Sequence, residues 1–99
     1  MKSSTSIRDA IKNLVPKYRV TVHKAAERFI AAIREPERKK LAHGLVNDLP
    51  NYPEVLDRWD IEKVRGAENM YRVRIGRYRI VFVVDKKTRN IEVPDAFIK

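Results

Sequence analysis

Apolar and polar positions alternate along this chain with two periods, and the switches between them mark its elements. From Ser6, the residues Ile7, Ala10, Ile11, Leu14 and Val15 recur at i, i+3, i+4, i+7 and i+8, which is one face of a helix. Ser6 with Asp9 makes a capping-box-like start, and Pro16 stops the run. Residues 1–16 therefore read as an amphipathic helical extension whose stripe docks on its own domain or on a partner. Tyr18-Arg19-Val20-Thr21-Val22 alternates apolar with polar residues and reads as a first strand. Lys24 to Arg34 returns to helical period, with Ala26, Phe29, Ile30 and Ile33 on one face. Pro36 suits the first turn of a second helix, Pro36 to Leu49, with Leu41, Leu45 and Leu49 at i, i+4 and i+8. The two helices predict an αα-hairpin.

Leu49-Pro50-Asn51-Tyr52-Pro53 is a breaker cluster. Trp59 and Ile61 reopen apolar structure, followed by a short extended stretch through Val64 to Gly66. The clearest pattern runs from Tyr71 to Val84. Tyr71, Val73 and Ile75 share one strand face, Arg72 and Arg74 the other. Gly76-Arg77 is a two-residue turn signal, glycine supplying the positive φ of a primed hairpin turn. Tyr78, Ile80, Phe82 and Val84 alternate on the returning strand, with Arg79, Val81 and Val83 opposite. After the polar loop Asp85 to Asn90, Ile91 to Ile98 forms a last strand, where Pro94 predicts an edge position or a bulge. The order predicts an α+β domain over residues 17–99. Its largely antiparallel four-stranded sheet carries an αα-hairpin on one face, and the extra helix precedes it.

Composition narrows the chemistry. Ninety-nine residues make one small domain, and the absence of cysteine excludes a disulfide scaffold, a thiolate metal site and a cysteine nucleophile. Neither a membrane-spanning apolar run nor a secretory h-region is visible, so a soluble, cytoplasmic protein is expected. Lys and Arg number 22 against 13 Asp and Glu, a formal net charge of +9. Such a surface suits a polyanion, or an acidic protein partner.

Five arginines fall between Arg65 and Arg79, on both sides of the predicted turn. A guanidinium gives bidentate phosphate contacts and stacks on bases, so this is a candidate nucleic-acid platform. An equally simple reading is a solvated sheet face whose charges deter edge-to-edge aggregation. Parity places Tyr71, Tyr78 and Phe82 on the core side. His23 and His43 are far apart and read as surface or capping residues. No ligand cluster suggests a metal and no glycine-rich loop a phosphate cradle. Glu62 and Glu68 flank the basic cluster as general-base candidates or as ion-pair partners for its arginines.

Val64-Arg65-Gly66, the spacing to Tyr71, the basic pair around Val73 and Gly76-Arg77-Tyr78-Arg79-Ile80-Val81-Phe82 together resemble the RelE/ParE toxin superfamily. The resemblance covers about residues 17–99. It implies the toxin of a type II toxin–antitoxin system that acts as a ribosome-dependent mRNA endoribonuclease. Its partners would be a cognate antitoxin, the ribosome and mRNA, with no metal or other cofactor and no membrane. The implied chemistry is attack of a 2′-hydroxyl on the adjacent phosphate, with cations stabilising the developing charge. By this resemblance Arg79 meets the scissile phosphate, and Arg72 and Arg74 meet RNA and transition-state charge. Lys63, Arg65, Arg77 and Lys99 are the further cations expected to touch RNA. Active RelE-type members continue past the last strand into an arginine-containing segment that ends in a catalytic tyrosine. The sequence here ends at Asp95-Ala96-Phe97-Ile98-Lys99, about where that segment begins. The superfamily therefore leaves two alternatives open, a ParE-like gyrase inhibitor and a catalytically inactive RelE-fold protein that binds nucleic acid or antitoxin.

Overall fold

The computed structural model describes residues 17–99, so the predicted N-terminal helix lies outside the described residues. Strand β1 (Arg19–Val22) leads into helices α1 (Lys24–Ala31) and α2 (Pro36–Asp48). One short 3-10 turn, Leu49–Asn51, lies in the predicted breaker cluster and a second, Glu54–Asp57, follows it directly. Strands β2 (Ile61–Lys63), β3 (Met70–Ile75), β4 (Tyr78–Asp85) and β5 (Asn90–Ile98) follow. The order across the sheet is β1-β5-β4-β3-β2, with β1 parallel to β5 and every other pair antiparallel.

The sheet has five strands rather than the four expected. The addition is β2, a three-residue strand with one apolar side chain, formed because it pairs with β3 in the register Ile61↔Val73 and Lys63↔Tyr71. β1 and β5 lie parallel, joined through the two helices and strands β2 to β4, a connection far longer than the roughly dozen residues that parallel neighbours need.

Both helices cover one sheet face. Along β4 the core residues Tyr78, Ile80, Phe82 and Val84 are buried, while Arg79, Val81 and Val83 between them are only partly so. Ala26, Ile30 and Ile33 come down from the first helical segment, and Ala42, Leu45 and Leu49 from the second. The predicted Leu41, Leu45 and Leu49 stripe is corrected at its first member: Leu41 is 49% exposed and Ala42 is buried in its place. No polar or charged side chain is buried among the described residues, so burial of apolar surface holds the layers together.

Two backbone features position the functional face. Ile75 pairs with Tyr78, so Gly76-Arg77 closes β3 onto β4 in two residues. Gly76 has φ +60 while Arg77 has negative φ, the pattern of a type II′ turn. On the other side of β4, Val81 pairs with Asp95 but Val83 pairs with Glu92. Phe82 therefore faces both Val93 and Pro94, and the predicted bulge lies at the proline. β1 pairing also ends at Val93, so Pro94 needs no N–H for a neighbouring strand.

Candidate nucleic-acid interface

The β3–β4 register sets Arg74 directly across from Arg79, and Arg72 across from Val81. These side chains leave the face that the described helices do not cover. The same register sets Glu62 beside Arg72, and the backbone N–H of Arg74 donates to the Asp60 carbonyl oxygen. At the end of β5 the Lys99 N–H donates to the Arg77 carbonyl oxygen, which brings Lys99 to the same corner. The result is a cleft of about 260 Å³ lined by Asp60, Glu62, Arg72, Arg74, Arg79 and Lys99. Four cations face two carboxylates in it.

The cations are not equivalent. Arg72 donates from Nε and Nη2 to Glu62 Oε1 at 2.9 and 2.6 Å. Arg74 donates from Nε to Asp60 Oδ2 at 2.7 Å. Arg79 instead donates from Nη1 to the carbonyl oxygens of Gly76 and Tyr78, at 2.8 and 3.1 Å. Among the described residues neither Arg79 nor Lys99 has a carboxylate at ion-pair distance. The hydrogen bond from Arg72, then its charge and those of Lys99 and Arg79, hold the Glu62 carboxyl below its ordinary value. Glu62 is thus an ionised partner for arginine, as one of its two sequence readings had it. The Arg72 and Glu62 side chains are 30% and 60% exposed, so solvent screens their pair and an incoming phosphate can compete for the guanidinium.

Of the residues expected to meet RNA, Arg72, Arg74, Arg79 and Lys99 converge here, and three do not. Lys63 pairs with Tyr71, whose ring is on the core side, so the lysine leaves the opposite face at the sheet edge. Arg65 lies in the turn between β2 and β3, at the far end of β3 from the Gly76 turn. Arg77 reaches the helical layer, where its guanidinium lies 5.2 Å from the Tyr78 ring centroid and 3.5 Å from Glu35. Asp60 was not anticipated, although Asp60 and Glu62 share the two-residue spacing of Arg72 and Arg74. Phe97, across from Arg79 on β5, was not anticipated either.

A larger open cavity of about 610 Å³ beside Gly44, Asp48 and Trp59 lies away from these cations. The Asp48 carboxylate there accepts from Asn51 Nδ2, Arg58 Nε and Nη2, and Trp59 Nε1. Burial pushes its pKa up, and these donors more than offset that, leaving it below the usual value. It is a structural node. His23, at the start of α1, is an exposed residue bonded to Glu92. Among the described residues no group of three or more His, Asp and Glu side chains is placed to hold a metal, and no helix is long and apolar enough to cross a membrane.

No protein-family model matches the chain. A protein of Methanocaldococcus jannaschii whose name, RelE1, sets it among the RelE toxins is 31% identical over 68 residues, 69% of this chain and 74% of that protein. The chain belongs to the RelE-like toxin family. Solved structures agree with the RelE-like fold. A chain of the archaeal RelE–RelB complex of Pyrococcus horikoshii superposes with a TM-score of 0.69 at 23% identity, covering 83% of this chain and 94% of that one. The toxin–antitoxin complex RelBE of E. coli gives 0.62 at 20% identity, covering 83% and 96%. These likenesses thus place the RelE-like chain in the fold of those complexes.

Proposed function

We propose that this RelE-like chain is the toxin of a type II toxin–antitoxin pair and that it cleaves mRNA on the ribosome without a metal. One observation carries the reading: Arg72, Arg74 and Arg79 converge on one solvent-open cleft, with Arg79 fixed by its own turn and, among the described residues, not paired with a carboxylate. In this reading the 2′-hydroxyl of one nucleotide gives its proton to solvent water and its oxygen bonds to the adjacent phosphorus. The 5′-oxygen of the next nucleotide leaves and takes a proton from water, so that a 2′,3′-cyclic phosphate and a 5′-hydroxyl result. The phosphoryl oxygens gain negative charge, and Arg79 donates to them, with Arg72 and Arg74 beside it. Arginine takes no proton at neutral pH, so its part is electrostatic. Solved relatives caught with RelB support a cognate antitoxin as the second partner. The test is induction of the protein in growing cells followed by sequencing of mRNA 5′ ends. Cleavage confined to translated messages is expected; intact messages in growth-arrested cells would refute the assignment.

A further inference from the structure

Every Phe, Tyr and Trp in the sequence except Phe97 belongs to the core or packs against it. Phe97 is half-buried on the opposite face, directly across from Arg79, which in turn lies across from Arg74. Arg74, Arg79 and Phe97 thus form one row over three adjacent strands, with neighbouring Cα atoms roughly 4.5–5.5 Å apart. Lys99 follows Phe97 at two residues, on the same side. The Arg79 guanidinium is drawn back to the Gly76 and Tyr78 carbonyls. Among the described residues no ring or guanidinium stacks on Phe97, and the residue is partly exposed.

One partly exposed ring is ordinary by itself; what singles Phe97 out is its place in one row with Arg74 and Arg79. Single-stranded RNA alternates an anionic phosphate with a flat base, and a cation beside a partly exposed ring matches that alternation. A duplex does not, because its bases are already stacked. We propose that Phe97 is a base-stacking platform, on which an unpaired RNA base lies while its flanking phosphate meets Arg79. This inference rests on the cleft being an RNA-contacting surface, and it adds the residue that grips the base.

The test measures binding of a short fluorescein-labelled oligoadenylate by anisotropy at low salt, alongside the same RNA with one abasic site at each position in turn. Phe97→Ala is expected to weaken binding by roughly 5- to 150-fold, the range for loss of one base–aromatic stack. Phe97→Trp restores it. An abasic site at the gripped position costs the wild-type protein a similar factor and costs Phe97→Ala little, because the partner ring is already gone. Thermal melts establish that the variants fold, and Phe97→Trp keeps the comparison valid where Phe97→Ala does not. Unchanged affinity in Phe97→Ala, with Arg79→Ala still weakened, overturns the stacking role and leaves the cationic surface standing. Additive losses from Phe97→Ala and the abasic site overturn it too, as does weakened antitoxin binding with RNA binding intact. Failure of the wild-type protein to bind oligoadenylate removes both the platform and the RNA-contacting cleft. Absence of mRNA cleavage in cells bears on the proposed activity alone.

Discussion

Replacing Glu62 by Gln asks whether the cleft's arginines are held in reserve by its own carboxylates. Among the described residues of the wild-type protein Arg79 and Lys99 have no ion-pair partner, while Arg72 and Arg74 are each engaged by a carboxylate. Single-stranded RNA binding loses about 0.7 in the slope of log K against log salt for each phosphate neutralised. Two free cations predict a cleft contribution near −1.4, on the order set by that coefficient. Glu62→Gln keeps the shape, removes the charge that holds Arg72 and moves the slope to about −2.1; adding Asp60→Asn moves it to about −2.8. Each freed arginine also makes binding about 2.6-fold more sensitive to raising salt from 50 to 200 mM. Affinity at low salt should therefore rise on removal of an acidic residue. Little stability is lost, since the pair is screened. The assay is anisotropy titration of oligoadenylate across a salt series, with thermal melts as the control. An unchanged slope, or weaker binding by a folded Glu62→Gln protein, refutes the idea that carboxylate and phosphate compete for Arg72.

Arg79→Ala should flatten the same salt slope by about 0.7 and abolish growth arrest, while stability stays within about 0.5 kcal/mol because the side chain is on the surface; a melting curve beside a toxicity assay checks both. Gly76→Ala should cost about 1–2 kcal/mol in urea unfolding, the penalty of placing a Cβ at a left-handed φ. Its Cβ would also fall 0.9 Å from Arg38 Nη1, so the Arg38 guanidinium has to leave the turn. Asp48→Asn should lose about 1–3 kcal/mol by weakening the charged hydrogen bonds from Arg58 and Trp59, read as a lower denaturant midpoint and a shifted Trp59 emission. Because folding lowers the Asp48 pKa, its contribution is complete above the unfolded value of about 3.9 and fades as pH falls through the folded value. The acid limb of the wild-type stability curve should therefore be steeper than that of Asp48→Asn.

The β3–β4 hairpin is legible in the sequence because period-two alternation runs unbroken on both sides of a glycine turn, which fixes both partners and register locally. The helices are legible as elements, but the face of α2 is less so. A leucine every fourth residue drifts about 40° per step around a helix of 3.6 residues per turn, so Leu41 swings out and Ala42 turns in. Strand β2 is legible only as a short extended stretch placed a few residues too late, through Val64 to Gly66. Three residues with one apolar side chain do not show that Ile61–Lys63 joins the sheet, which pairing with β3 decides. At the site, Arg72, Arg74 and Arg79 follow from alternation alone. The carboxylates need register: Asp60-x-Glu62 read against Arg72-x-Arg74 in antiparallel sense is the complementary pattern, visible once β2 is known to pair there. Phe97 is hidden by the bulge. Counting by twos from Ile91 and Val93 puts residue 97 in the core, and the extra residue at Pro94 shifts the parity so that Ala96 turns inward and Phe97 outward.

The central place of β5 sets the order in which the molecule can assemble. β5 is the last strand in the described chain, yet it is the sole neighbour of β1 and lies between it and β4. Strands β2 to β4 can zip by short loops, whereas β1 must wait for a partner some seventy residues away, a closure whose entropy is lost before any contact offsets it. A nascent chain on the ribosome therefore carries β1 as an unpaired edge until β5 emerges. Phe97 and Lys99 ride on that strand or at its end, so the sheet closes and the cleft gains its last wall in the same event.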